Sequence, residues 1–149
     1  MKFNRGLDGR KTVTFEIDTA NDLHQQSVAV TALGALTAAR IRDREARLIP
    51  AMLATRINRQ DTTVQKDGKD VRVATTSPLP RQEAQVLRQA LEQFAEDAPA
   101  GILMAQTAGN PYGSNVVAVQ AHMAEQMAEE LIAEFNLPQP PPVQRFGFR

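Results

Sequence analysis

Charge is missing from two long stretches of this chain, residues 23–39 and 98–124, which are 17 and 27 residues long. All 34 charged side chains fall in the other 105 residues. A folded surface normally has charge scattered over it, because Lys, Arg, Asp and Glu are the residues left outside. Both blocks are therefore expected to be covered. The longer block is broken by Gly101, Gly109, Pro111 and Gly113 and carries polar Gln, Asn and Ser, so it does not read as one ordinary core. Part of its cover is expected to come from other subunits.

The material for a private core is thin. Leu, Ile, Val and Phe number 35 in 149 residues, while Ala adds 22 and Trp is absent. Alanine buries little area, and stabilisation scales at about 25 cal/mol per Å² removed from water. Alanine-rich helices do allow close approach, which suits bundles and helix-mediated interfaces. Formal charge sums to zero, but residues 1–80 carry 13 basic and 9 acidic groups, whereas residues 81–149 carry 4 and 8. Head-to-tail packing of identical subunits would pair those halves.

Without cysteine there are no disulfides, thiol nucleophiles or Cys-ligated metals, which fits a reducing compartment. No signal-peptide pattern opens the chain. A membrane helix needs about 20 predominantly apolar residues. Residues 23–39 are too short and contain His24, Gln25 and Gln26, and residues 98–124 are interrupted. A cytoplasmic protein, or one assembled in a virion made there, is the expectation.

Residues 11–18 alternate strictly, with Val13, Phe15 and Ile17 on one face, the pattern of a half-buried strand. Asp8-Gly9 is a candidate hairpin turn, although a two-residue loop there sets Phe3 opposite Thr14. Asp18, Thr19 and Asn21 are good N-cap types, so a long helix is expected to begin among them. Leu23, Val30, Leu33 and Ile41 recur at helical spacing, with Gly34 in a position that would let another helix approach. Pro50 should kink or restart the helix, which then runs to about Asn58.

Residues 62–77 form the clearest local element. Asp67-Gly68 suits a type I′ turn, placing Lys66 opposite Lys69 and Val64 opposite Val71. Val73 shares the valine face, and Thr and charged residues make the outer one. Pro80 opens a helix whose stripe of Val86, Leu87, Ala90, Leu91, Phe94 and Ala95 reaches about Asp97. Residues 99–108 read as a short buried helix and 109–113 as a loop. Ser114 then caps a last helix with Val116, Val119, Met123, Met127, Leu131 and Phe135 on one stripe and Glu125, Glu129, Glu130 and Glu134 on the wet face. The end, residues 137–149, is a Pro-rich extended tail in which Phe146 and Phe148 would serve as anchors on a neighbour.

Chemistry is sparse. His122, Glu125 and Glu129 share a helix face, but a carboxylate-bridged metal bundle needs such a cluster more than once, so no metal is expected. The Gly109–Ser114 segment lacks the lysine of a phosphate-binding P-loop. No Ser/His/Asp or Ser/Lys arrangement is legible. Arg40, Arg42, Arg44, Arg47, Arg56 and Arg59 lie within 20 residues, and arginine suits bidentate contacts to phosphate or carboxylate. No aromatic residue lies among them, so pairing with glutamates within or between subunits is the stronger reading.

The expected fold is α+β and mostly helical: a small antiparallel sheet, from the N-terminal strand and the 62–76 hairpin, with four to five helices. Residues 1–136 would form one domain. The expected function is a non-enzymatic, self-assembling structural or adaptor subunit without cofactors. In construction it is comparable to phage head–tail connectors or other ring components, with no sequence signature of either. The expected contact residues are Gly34, Arg40, Arg44, Arg47, Tyr112, Met123, Phe146 and Phe148, serving a homo-oligomer and other assembly proteins. Alternatives are a small nucleic-acid-binding accessory protein using the arginines, and an inhibitor or immunity-type protein that binds a single protein partner.

Overall fold

The computed structural model describes residues 1–17, 23–40, 42–59, 61–76 and 78–138. The chain opens with an antiparallel pair, β1 (Lys2–Arg5) and β2 (Lys11–Glu16). Phe3 faces Val13 and Arg5 faces Lys11, one residue away from the register that a two-residue Asp8-Gly9 loop would set. The connection is five residues long instead, with Gly9 at φ +81° and Gly6 N–H bonded to Arg10 O at 2.8 Å. That single step puts Phe3 on the face of Val13 and Phe15, because side chains alternate with period two.

The second hairpin follows its turn chemistry. β3 (Asp61–Lys66) and β4 (Lys69–Thr75) pair with Lys66 opposite Lys69 and Val64 opposite Val71. Asp67 and Gly68 both take positive φ, 54° and 76°, as a type I′ turn requires. The strand order is β1-β2-β4-β3. Which face turns inward differs from expectation. Phe15 pairs with Ala74, and with Val13 these two join the helices in the core. Val73 pairs instead with exposed Glu16, so Val64, Val71 and Val73 lie on the far face, in a hollow with Thr14 and Thr75. Pairing with β2 decided this, and a hairpin read in isolation cannot reveal it.

Four helices cover the inner face. α1 (Gln25–Ala39) begins later than the candidate caps at 18–22, which lie outside the described residues. His24 is the N-cap, its Nδ1 accepting from Ser27 N–H at 3.3 Å. The helix ends at Ala39 instead of running on toward Pro50. α2 (Arg44–Arg59) starts behind Asp43, whose Oδ1 accepts from Ala46 N–H at 3.1 Å. Pro50 then sits buried inside α2 and does not restart it.

α3 (Arg81–Thr107) passes through Pro99 as one helix, so no separate helix exists at 99–108 and the described residues form four helices. A three-residue turn follows, with Gly109 at φ +72°. α4 (Pro111–Phe135) starts earlier than a Ser114 cap would give. Asn110 is the N-cap, its Oδ1 accepting from Gly113 N–H at 2.9 Å, and Pro111 takes the first position, where its missing N–H costs nothing.

The core joins Val13 and Phe15 to Val28, Leu33 and Leu36 of α1, Leu53 and Ile57 of α2, Leu87 and Leu91 of α3, and Met127 and Leu131 of α4. α3 and α4 pack as an antiparallel pair, and α1 lies against both α2 and α3. The sheet is tied to the end of α4: Phe3 meets Phe135 edge-on with ring centroids 6.0 Å apart. Lys11 pairs with Glu134 at 3.2 Å and stands 5.2 Å over the Phe135 ring. Leu137 is buried, so the folded body extends past residue 136. Residues 139–149, with Phe146 and Phe148, lie outside the described residues.

Candidate assembly surfaces

Helix geometry explains why the longer uncharged block is left uncovered. At about 1.5 Å per residue, α3 and α4 are each close to 40 Å long, and the core engages only part of that length. Ala98 is the last buried residue of α3, and the buried side chains of α4 other than Ser114 begin at Ala124. Gly101 of α3 and Val117 of α4 still border α1, and beyond them the two helices form a projecting tip. On it Leu103 is 63% exposed, Met104 73% and Tyr112 77%; Val119, nearer the core, is exposed as well. The stretch expected to be a short buried helix is therefore an open apolar surface in the single chain. The shorter block behaves differently: Val28, Ala29, Ala32, Leu33 and Leu36 are buried in α1. Two of its other small residues, Ala35 and Ala39, line a cleft of about 490 Å³ with Phe94, Ala98 and Gly101 of α3 and Val117 of α4.

The arginines divide by role. Arg40, Arg44 and Arg47 do not share one helix, because α1 stops before Arg40 and α2 starts at Arg44. Arg40 is the C-cap of α1, and its Nη1 donates to Ala46 O at 2.9 Å. Ala46 O is the carbonyl left without its helical donor by Pro50, four residues on. Arg56 is committed to Glu83 of α3 at 3.0 Å. Arg47 is half-buried. Arg42 and Arg44 are exposed and have no ionic partner among the described residues. The side chain of Arg59 lies outside them.

Next to Arg44, Leu48 is 58% and Met52 60% exposed. Steps of four residues keep Arg44, Leu48 and Met52 on one side of α2. On α4, Glu130 lies 3.3 Å from the Met1 amino group and Glu134 pairs with Lys11. Glu125 and Glu129 are exposed and have no ionic partner among the described residues. α2 and α4 make no substantial contact with each other, so the basic and acidic helices do not neutralise one another within the chain.

The remaining expected contact residues fall in different settings. Gly34 is exposed, and a Cβ there would meet nothing within 4 Å, so no helix of its own chain needs that glycine. Met123 is half-buried against the core. His122 is exposed beside Glu125 and Glu129, and no group of three potential metal ligands gathers among the described residues. No helix among them is long and apolar enough to cross a membrane.

Sequence reasoning missed Arg88. It is only 3% exposed and spends its guanidinium on Glu92 at 2.7 Å, Gln85 at 3.0 Å and Pro138 O at 3.0 Å. It ties α3 to the last of the described residues, Pro138. The hint was local: Gln85, Arg88 and Glu92 are spaced three and four apart, as side chains that meet on a helix are. No protein-family model matches this sequence, and comparison with curated proteins and with solved structures gives no significant match either.

Proposed function

We propose that this chain is a non-enzymatic, self-assembling structural or adaptor subunit. The observation that carries the reading is the uncharged tip of the α3–α4 pair, with Leu103, Met104 and Tyr112 largely exposed and no described residue placed over them. Contiguous exposed apolar surface marks contact sites, and the small residues around it permit close helix approach. A second copy is the occupant we favour, because a neutral patch offers no charge by which to select a foreign partner. The tail beyond Pro138, held at its base by Arg88, would reach other assembly proteins through Phe146 and Phe148. Such a subunit would work in the cytoplasm or in a particle assembled there. The nucleic-acid alternative draws on fewer residues than the sequence offers, since Arg40 and Arg56 are engaged within the chain.

Light scattering on the purified protein tests the reading. The expected native mass is a defined multiple of 16.4 kDa, reduced when Leu103→Ser and Met104→Ser are combined. Both positions are exposed, so the double variant should keep its fold by circular dichroism. A wild-type protein that stays monomeric at high concentration overturns the proposal.

A further inference from the structure

We infer that copies of this chain meet head to tail, the Arg44–Leu48–Met52 side of α2 in one lying antiparallel on the Val119–Glu129 side of α4 in the next. The inference rests on the self-assembly reading above and adds to the α3–α4 tip a second, charged contact. Its basis is complementarity between two helix faces that the fold keeps apart. On α2 the stripe runs from charge to apolar: Arg44 at the first turn, then Leu48 and Met52, all exposed. On α4 the exposed stripe runs the opposite way, from Val119 through His122 and Gln126 to Glu129.

The lengths agree. Arg44 to Met52 spans about 12 Å and Val119 to Glu129 about 15 Å along the helix axes. Laid antiparallel, Arg44 meets Glu129, and Met52 meets Val119. Laid parallel, Arg44 would fall on Val119 and Met52 on Glu129, which leaves both charges unpaired against apolar groups. Arg42 and Glu125 reinforce the two charged ends. Glu45 and Asp43 do not cancel the basic end: Asp43 is used as the α2 N-cap, and Glu45 sits at the stripe's margin. The two faces belong to different helices, so the contact is heterologous, and repetition closes a ring or extends a filament.

Charge reversal tests this. Arg44→Glu places an acid in the first turn of α2, where it suits the helix dipole, and Glu129→Arg changes an exposed side chain of α4. Both positions are exposed, so neither variant should lose its fold. Each alone should lower the mass seen by light scattering to that of the monomer. Arg44→Glu and Glu129→Arg combined in one chain should recover the wild-type mass, because the exchanged charges then pair again at every contact, whatever the number of copies. Should wild type assemble while both reversals leave its mass unchanged, this contact is wrong and the assembly reading stands. Should the single variants fall but the double variant fail to recover, the pairing of Arg44 with Glu129 is equally overturned. A monomeric wild type removes both.

Discussion

Arg40 shows how one side chain can settle a conflict in the backbone. Pro50 brings no N–H to α2, and Ala46 O would be left without a donor inside the bundle. The guanidinium of Arg40 supplies that donor from the end of the preceding helix. Removing it should cost about 1.5 kcal/mol, the usual range for a charge-assisted bond to backbone. The cost should shrink by about 1 kcal/mol in a Pro50→Ala background, where the helix supplies its own N–H. Urea denaturation of the two single variants and the double variant measures the coupling. Independent, additive effects would show that Arg40 does not serve this carbonyl. His24 offers a second residue-level test. A histidine caps α1 through Nδ1, a role better filled by aspartate, which accepts more strongly and complements the helix dipole. His24→Asp should raise stability by about 0.5 kcal/mol, seen as a higher thermal midpoint. An unchanged or lower midpoint would mean that the cap is not in use.

Within the elements, the turns are fixed by residues that tolerate positive φ. Gly109 closes α3 at φ +72° with nothing near its missing Cβ, so a side chain there meets backbone strain and not crowding. Gly109→Ala should destabilise by about 1 kcal/mol, measurable by chemical denaturation. A neutral result would show that the α3–α4 turn relaxes to another conformation. The same turn aligns α3 with α4 and so builds the tip. Pro99 does not stop α3, because the helix is held on both sides of it by packing against α4. Tertiary contact outweighs a local penalty that would end an isolated helix. The valine face of the β3–β4 hairpin follows the same logic: its register was legible from Asp67-Gly68, but its orientation required β2.

For the whole molecule, the question is whether the exposed surfaces suffice for association. Leu48 and Met52 are already partly covered in the single chain, so completing their burial offers about 1–2 kcal/mol each, whereas association costs an estimated 4–15 kcal/mol in lost freedom. The α2–α4 contact therefore needs the apolar tip to contribute, and the tip needs the charged contact to set register. Serines at Leu103 and Met104 should weaken assembly at all ionic strengths. The Arg44–Glu129 contact should weaken as salt rises, because exposed charges are screened within about 8 Å at 0.15 M. Sedimentation of wild type and the serine variant across a salt series separates the two. A serine variant with the wild-type salt profile and mass would remove the tip from the interface.

The sequence by itself determined the local elements. Alternation at Val13, Phe15 and Ile17 announced β2, Asp67-Gly68 announced the second hairpin, and period-3.6 stripes announced α3 and α4. These signals are legible because short-range geometry imposes them on neighbouring residues. It also showed that two stretches lack charge, but not that one would become core and the other an open tip. That difference arises because α1 lies between α2 and α3, while the far ends of α3 and α4 outrun every other element. Helix ends were misplaced because the chain offers more cap-type residues than the helices use: His24, Asp43 and Asn110 hold the starts of α1, α2 and α4, each accepting from an N–H three residues on. Tertiary structure alone decided which faces meet within the chain and which remain open, because packing joins residues whose separation along the sequence carries no periodic signal.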